Sequence, residues 1–119
     1  MRKPLIICIG LVIAATLTAS VAMAKTVTRD VKVGDNYFVR STGVPKITIK
    51  QNTTVRFKFK GQDPHDVWGY RGTTKKFASD IYFPGDVWKK KMSQRGTFKI
   101  VCDIHGEDDQ RMTIKVVRP

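Results

Sequence analysis

The stretch that decides the fold of this chain is Thr54-Val55-Arg56-Phe57-Lys58-Phe59-Lys60. Its apolar residues Val55, Phe57 and Phe59 stand at every second position, and basic residues stand between them. Strict alternation over this length predicts a β-strand that buries one face and exposes the other. No amphipathic helical pattern of useful length follows or precedes it, so the chain is predicted to be all-β.

Short strands separated by turns are predicted on both sides of this stretch. They cover residues 31–33, 47–50, 66–70, 87–92 and 97–102, with a last strand that runs to Val117 and has Met112, Ile114 and Val116 in phase. The polar segment 72–79 is predicted to be irregular. Seven or eight short strands at this spacing predict a β-sandwich, with a closed barrel as the alternative.

Residues 1–24 have the features of a cleaved signal peptide. Arg2 and Lys3 precede a largely apolar run, and Ala22-Met23-Ala24 supplies the small residues of a cleavage site. An uncleaved anchor is the alternative, although the apolar run is short for a membrane span. We therefore expect an exported protein, periplasmic or extracellular, with residues 25–119 as its single domain.

Removal of this segment would change both the charge and the cysteine count. The net charge falls from +12 to +10, because Arg2 and Lys3 are lost and no acidic residue is. Cys8 is lost as well, and Cys102 becomes the only cysteine. Exported proteins usually pair their cysteines, so Cys102 is a metal ligand, half of an intermolecular disulfide or an inert buried thiol.

The chain has only two histidines, and both stand in informative places. His105 lies in Cys102-Asp103-Ile104-His105, and His65 lies upstream in Asp63-Pro64-His65-Asp66-Val67. The Cys-x-x-His spacing lets two ligands converge from one loop, while His65 would come from a separate strand end. One thiolate, two imidazoles and a weak axial group are the ligands of a blue-copper centre.

Two residues are candidates for the weak axial position, Gln110 and Met112. Methionine is the commoner axial group, and glutamine is also used. Met112 lies on the same face of the last predicted strand as Ile114, which indicates a core residue. Gln110 is a polar side chain at the mouth of the same apolar face, where it needs a partner. We therefore predict a metal site of His65, Cys102, His105 and Gln110, with Met112 in reserve.

With these motifs in place, the sequence resembles the cupredoxins, in particular the plastocyanin-like and amicyanin-like group. The resemblance rests on 47–59, on Pro64-His65-Asp66-Val67, which is similar to the family's Pro-His-Asn-Val motif, and on the segments 84–86 and 96–98 that lead into Cys102. It implies a Greek-key β-sandwich with one type 1 copper ion near one end, held by His65, Cys102 and His105.

The segment after His105 departs from the patterns of the family. Plastocyanin-like members place four residues between the second histidine and the axial methionine, and amicyanin-like members place two. Here the longer spacing reaches Gln110 and the shorter one Asp108, whereas six residues separate His105 from Met112. A carboxylate is a hard ligand that suits cuprous copper poorly. The spacing therefore also favours Gln110.

These features predict a non-enzymatic copper protein that transfers single electrons between protein redox partners. A copper carrier or storage protein with the same ligands and a structural zinc-binding β-domain are the alternatives. Because the protein is expected to be exported, we expect no nucleic acid partner. We also expect a monomer whose basic surface is attracted to some extent to anionic membranes. The acidic residues Glu107, Asp108 and Asp109 beside His105 are a candidate docking surface for the redox partners, with a plain solvated turn as the alternative.

Overall fold

The computed structural model describes residues 26–119, and the predicted signal peptide lies outside them. This part of the chain forms nine strands, which are β1 (Thr28–Gly34), β2 (Tyr37–Phe38), β3 (Lys46–Lys50), β4 (Thr53–Phe59), β5 (Trp68–Arg71), β6 (Thr74–Ala78), β7 (Val87–Met92), β8 (Gly96–Val101) and β9 (Arg111–Val117). Within residues 26–119, no helix is long and apolar enough to cross a membrane.

The strands form two mixed sheets. One has the order β2-β1-β4-β7 and the other β3-β9-β8-β5-β6. The pairs β1–β4 and β3–β9 are parallel, and the remaining pairs are antiparallel. The predicted all-β sandwich is therefore confirmed.

The two sheets pack through the apolar faces that alternation predicted. In β4, Val55, Phe57 and Phe59 are fully buried, and Phe57 packs against Phe38 and Trp88. The facing sheet contributes Phe98 and Ile100 from β8 and, from β9, Met112, Ile114 and Val116 to the same core. Burial of this apolar surface is the main force that holds the sandwich together.

The turn between β3 and β4 contains an asparagine in a left-handed conformation. Asn52 has a φ of 71°, a left-handed conformation that asparagine tolerates better than most residues. Gln51 and Asn52 donate their backbone N–H groups to Val117 and Met92, which joins the turn to both sheets. The asparagine at this turn is thus compatible with the fold.

Two strands were not predicted. The segment 72–79, expected to be irregular, contains β6, which pairs with β5 through a turn at Gly72. Phe77 explains the strand, because its ring lies against Gly69, where a side chain would collide with it, and it also packs near Trp88 and Phe98. These partners are distant in sequence or lack a side chain, so local patterning does not reveal them. The other unpredicted strand is β2, which has only two residues.

Candidate metal centre

His65 is fixed by the backbone before β5 begins. Its N–H donates to the carbonyl of Tyr82 at 3.0 Å, and its own carbonyl accepts from Tyr82 at 2.8 Å. The Tyr82 ring packs 5.3 Å from that of Phe59, which ties this bridge to the core. Only 1% of His65 is exposed. The imidazole is therefore buried, and the backbone that carries it is hydrogen-bonded in both directions to Tyr82.

Cys102 follows the last residue of β8 and is completely buried. Its N–H donates to the carbonyl of Gln110 at 3.2 Å, and its carbonyl accepts from Gly106 at 2.9 Å. The chain turns at Gly106, whose φ is 82°, and returns to β9. Residues 103–109 form the loop that carries His105, which is half-buried.

Three side-chain atoms meet between these elements. Nδ1 of His65 lies 3.1 Å from Nδ1 of His105, and Cys102 Sγ lies 3.8 Å and 3.4 Å from these two nitrogens. Histidine, cysteine and acidic side chains can all bind metals. Among those of the described residues, these three are the one group that lies close enough together to share a metal ion. The predicted convergence of the three is present, and the donor set is the one that suits type 1 copper.

Asp66 connects the two halves of this cluster. Asp66 is buried, with 5% of the residue exposed, and its carboxylate accepts the backbone N–H of Asp103 at 2.7 Å. One residue next to His65 therefore holds one residue next to Cys102. The aspartate takes the place of the asparagine in the family motif and supplies the same kind of acceptor.

Gln110 lies in the last position before β9 and is completely buried. Its Nε2 donates to the carbonyl oxygens of Gly34 and Tyr37, each at 3.0 Å. Its Oε1 is buried and has no hydrogen-bond partner among the described residues. A buried amide oxygen without a partner is costly, so it calls for a ligand or another donor. Met112 is also completely buried, among the apolar residues of the core.

Burial and hydrogen bonding shift the pKa values of two titratable groups at the cluster, Cys102 and Asp35. Burial raises the pKa of the Cys102 thiol. The pKa of Asp35 is lowered to about 2, because its carboxylate accepts the backbone N–H of Gln62, then His65 Nε2 and the N–H of Asp63. The Asp35 Oδ1 to His65 Nε2 distance is 2.9 Å. Asp35 is thus an anion that contacts the ring of His65 on the side away from the cluster.

Asp35 is the part of the site that the sequence did not reveal. It belongs to the turn between β1 and β2, and it is 30 residues before His65. The pair Asp35-Asn36 signals a turn, and Asn36 has a φ of 63° in agreement with it. Nothing in that signal indicates that the turn reaches a histidine in another part of the chain.

No protein-family model and no curated protein matches the sequence. Solved structures do match. A purple cupredoxin from Nitrosopumilus maritimus is 21% identical with a TM-score of 0.62, over 74% of this chain and 98% of that one. The chain has the cupredoxin fold.

Two amicyanins have the same cupredoxin fold. Amicyanin from Paracoccus versutus (Thiobacillus versutus) is 20% identical with a TM-score of 0.61, over 79% of this chain and 83% of that one. A methionine-to-glutamine mutant of amicyanin, in its Cu(I) form, is 17% identical with a TM-score of 0.63, over 76% of this chain and 82% of that one. The cupredoxin fold thus carries the His65, Cys102 and His105 cluster at one end of its sandwich.

Proposed function

We propose that this chain is an exported type 1 copper protein that carries single electrons between redox partners. The observation that carries the proposal is the convergence of Cys102 Sγ with Nδ1 of His65 and Nδ1 of His105, all within 3.8 Å of one another. When bound there, copper supplies a one-electron redox couple. The chain's part is to bring three strong ligands together before the metal arrives, two of them buried and His105 half-buried.

We assign the weak axial position to Gln110. Support comes from its Oε1, which is buried and unpartnered while both carbonyl contacts are made by Nε2. Met112, in contrast, has apolar neighbours that fully account for its burial. A neutral amide oxygen should favour cupric copper more than a thioether does, and so lower the reduction potential.

The axial assignment is tested by a pair of variants. Gln110→Met should raise the reduction potential of the copper-loaded protein, measured by protein-film voltammetry. Met112→Leu, the matched control in the core, should leave the potential nearly unchanged. A shift caused by Met112→Leu alone would instead assign the axial position to Met112.

The donor set favours copper over a structural zinc ion. The structural zinc alternative needs a loop carboxylate as fourth ligand, and the metal-binding group of the described residues contains none. Electron transfer is favoured over copper carriage because His65 and Cys102 are buried and held by backbone hydrogen bonds. A centre built in this way should keep its metal through repeated redox cycles, whereas a carrier should release it to a chelator.

The test of the proposed function is reconstitution with Cu(II) and with Zn(II). One equivalent of Cu(II) should give the intense thiolate-to-copper absorption of a type 1 centre. Cys102→Ser should abolish it, while Gln110→Met should keep it in altered form. A colourless copper adduct, or a preference for zinc over copper, would contradict the proposal.

We place the partner-docking surface at the loop that carries His105. Ile104 is 44% exposed there, and the acidic residues Glu107, Asp108 and Asp109 are exposed as well. Glu107 pairs with Lys99 at 2.9 Å, and Asp108 and Asp109 border a cleft with Arg40 and Arg111. The docking surface is therefore a mixture of both charges, with the acidic residues nearest the histidine in sequence.

A further inference from the structure

The turn between β1 and β2 contacts two of the proposed metal ligands. It consists of residues 34–37 and joins the two strands of an antiparallel hairpin. Asp35 binds the ring of His65, and the carbonyl groups of Gly34 and Tyr37 bind the amide of Gln110. Those two ligands come from different parts of the chain, so the turn is the element that they share.

The contact with Asp35 determines which nitrogen of His65 is free. Asp35 Oδ1 already accepts the backbone N–H groups of Gln62 and Asp63, so it is an acceptor towards the imidazole as well, and Nε2 of His65 must be the donor. A neutral imidazole has one N–H, so Nδ1 then carries a lone pair. Nδ1 is the atom that faces Cys102 and His105. In the metal-free protein it can accept the Nδ1–H of His105 at 3.1 Å.

The contacts with Gly34 and Tyr37 determine which end of the Gln110 amide faces away from the turn. Carbonyl oxygens accept hydrogen bonds, so only the NH₂ end of the amide can satisfy both. Its two hydrogens are thereby used, and the oxygen is directed away from the turn. This is the atom that remains buried without a partner.

Two glycines leave the space that these contacts need. A side chain at Gly34 would collide with the ring of Tyr37, and a side chain at Gly61 would collide with the Asp35 carboxylate. Asp35 also accepts the N–H groups of Gln62 and Asp63 at 2.9–3.1 Å. These bonds hold its carboxylate in place independently of His65.

We propose that the β1–β2 turn is the positioning element of the metal centre. Asp35 fixes His65 as an Nδ1 ligand, and the carbonyl groups of Gly34 and Tyr37 direct the oxygen of Gln110 towards the metal. Asp35 and the turn touch the ligands only, and they act through them. The proposal rests on the proposed function for its consequence at the metal, but the state of the His65 ring can be measured without any metal.

The first experiment reads the histidine tautomers in the metal-free protein by long-range ¹H–¹⁵N NMR, at mildly alkaline pH where free imidazole is neutral. His65 should be protonated at Nε2 and His105 at Nδ1. Asp35→Asn should keep this state, because an amide oxygen still accepts from Nε2. Asp35→Ala should give a mixture of tautomers at His65. Asp80→Asn is the control, since Asp80 is an exposed acid whose carboxylate makes no hydrogen bond among those of residues 26–119.

Gly61→Ala provides the same test without removal of the charge. It should displace the Asp35 carboxylate and give mixed tautomers at His65, so it replaces Asp35→Ala if that variant does not fold. A single Nε2–H tautomer in every variant would overturn the proposal, as would an Nδ1–H tautomer of His65 in the native sequence. Either result would leave the copper-binding test of the proposed function standing.

The second experiment measures the copper-loaded protein. Loss of an outer hydrogen-bond partner of a metal ligand typically weakens metal binding by about 10–100-fold, and we expect that loss for Asp35→Ala in a chelator competition. Asp35→Asn should bind copper within a few-fold of the native protein and raise its reduction potential, because a negative charge near His65 is lost. The proposal would be overturned if Asp35→Ala bound copper with native affinity, and equally if Asp35→Asn had the native reduction potential.

Discussion

The two histidines of the metal centre are held in opposite ways. His65 is buried, paired through its backbone with Tyr82 and hydrogen-bonded through its ring to Asp35. His105 is half-buried and lies on a loop whose neighbours Asp103, Ile104 and Glu107 are exposed. In the proposed copper centre, this difference would separate two tasks: the His65 side would maintain the geometry of the metal, and the His105 side would bring it towards the surface.

The largest expected effect comes from removal of each imidazole in turn. His65→Ala should lower the free energy of unfolding of the metal-free protein by about 2–4 kcal/mol, because it leaves a cavity and removes a partner of Asp35. His105→Ala should cost less, under about 1 kcal/mol, since His105 is only half-buried and lies on a loop with exposed neighbours. Urea denaturation measures both. Equal losses would remove the contrast between the two sides.

The next effect concerns Asp66, which joins the two sides through the N–H of Asp103. Asp66→Ala leaves this N–H without its acceptor and should destabilise the protein by about 1–3 kcal/mol. The variant should also speed amide hydrogen exchange in residues 103–109 while the strands keep their protection. Asp66→Asn keeps an acceptor oxygen and is the control. Unchanged exchange in Asp66→Ala would show that the loop does not depend on this bond.

A smaller effect tests the exposed side as the route for electrons. Asp108→Lys should speed oxidation of the reduced protein by the anion hexacyanoferrate(III) a few-fold at low ionic strength. It should slow oxidation by the cation tris(phenanthroline)cobalt(III), and salt should suppress both changes. Stopped-flow absorption measures the rates. Lys50→Glu, near the far end of β9 where Lys50 pairs with Val117, is the control. Lys50→Glu changes the net charge by the same amount in the opposite direction, so rate changes of equal size and opposite sign in the two variants would argue against electron entry beside His105.

The smallest effect lies away from both histidines, on the outer face of the sheet that contains β1 and β4. Hydrogen bonds from Arg56 and Lys58 lower the pKa of Asp30 to about 2, from an ordinary value of 3.8. A lowered pKa contributes stability above the ordinary value, and this contribution is lost as the pH falls from about 4 to about 2. The melting temperature of Asp30→Asn should therefore lie below that of the native protein at neutral pH and approach it as the pH falls through this range. A constant difference would assign the effect of the variant to something other than charge.

Most of the fold could be predicted from the sequence because its strands alternate strictly. Val55, Phe57 and Phe59 in β4 mark the buried face without any knowledge of their partners. β6 was missed since Phe77 is its one large apolar residue, and its strand conformation depends on contacts with Gly69, Trp88 and Phe98. β2 is too short to carry a pattern.

The residues of the candidate metal centre also fall into those that the sequence predicts and those that it does not. Cys102 and His105 are three residues apart, so their spacing alone predicts that they can share a metal. His65 could be proposed because no other histidine remains. Asp35 and the carbonyl groups of Gly34 and Tyr37 could not, because their contacts depend on how the first hairpin packs against residues 30 to 76 positions later.

The most direct test is a crystal structure of the protein loaded with copper. We predict one copper ion bonded to Nδ1 of His65, Nδ1 of His105 and Sγ of Cys102, with Oε1 of Gln110 as the next-nearest atom. A metal bound elsewhere, a carboxylate among the ligands, or Met112 in place of Gln110 would contradict the assignment of this centre.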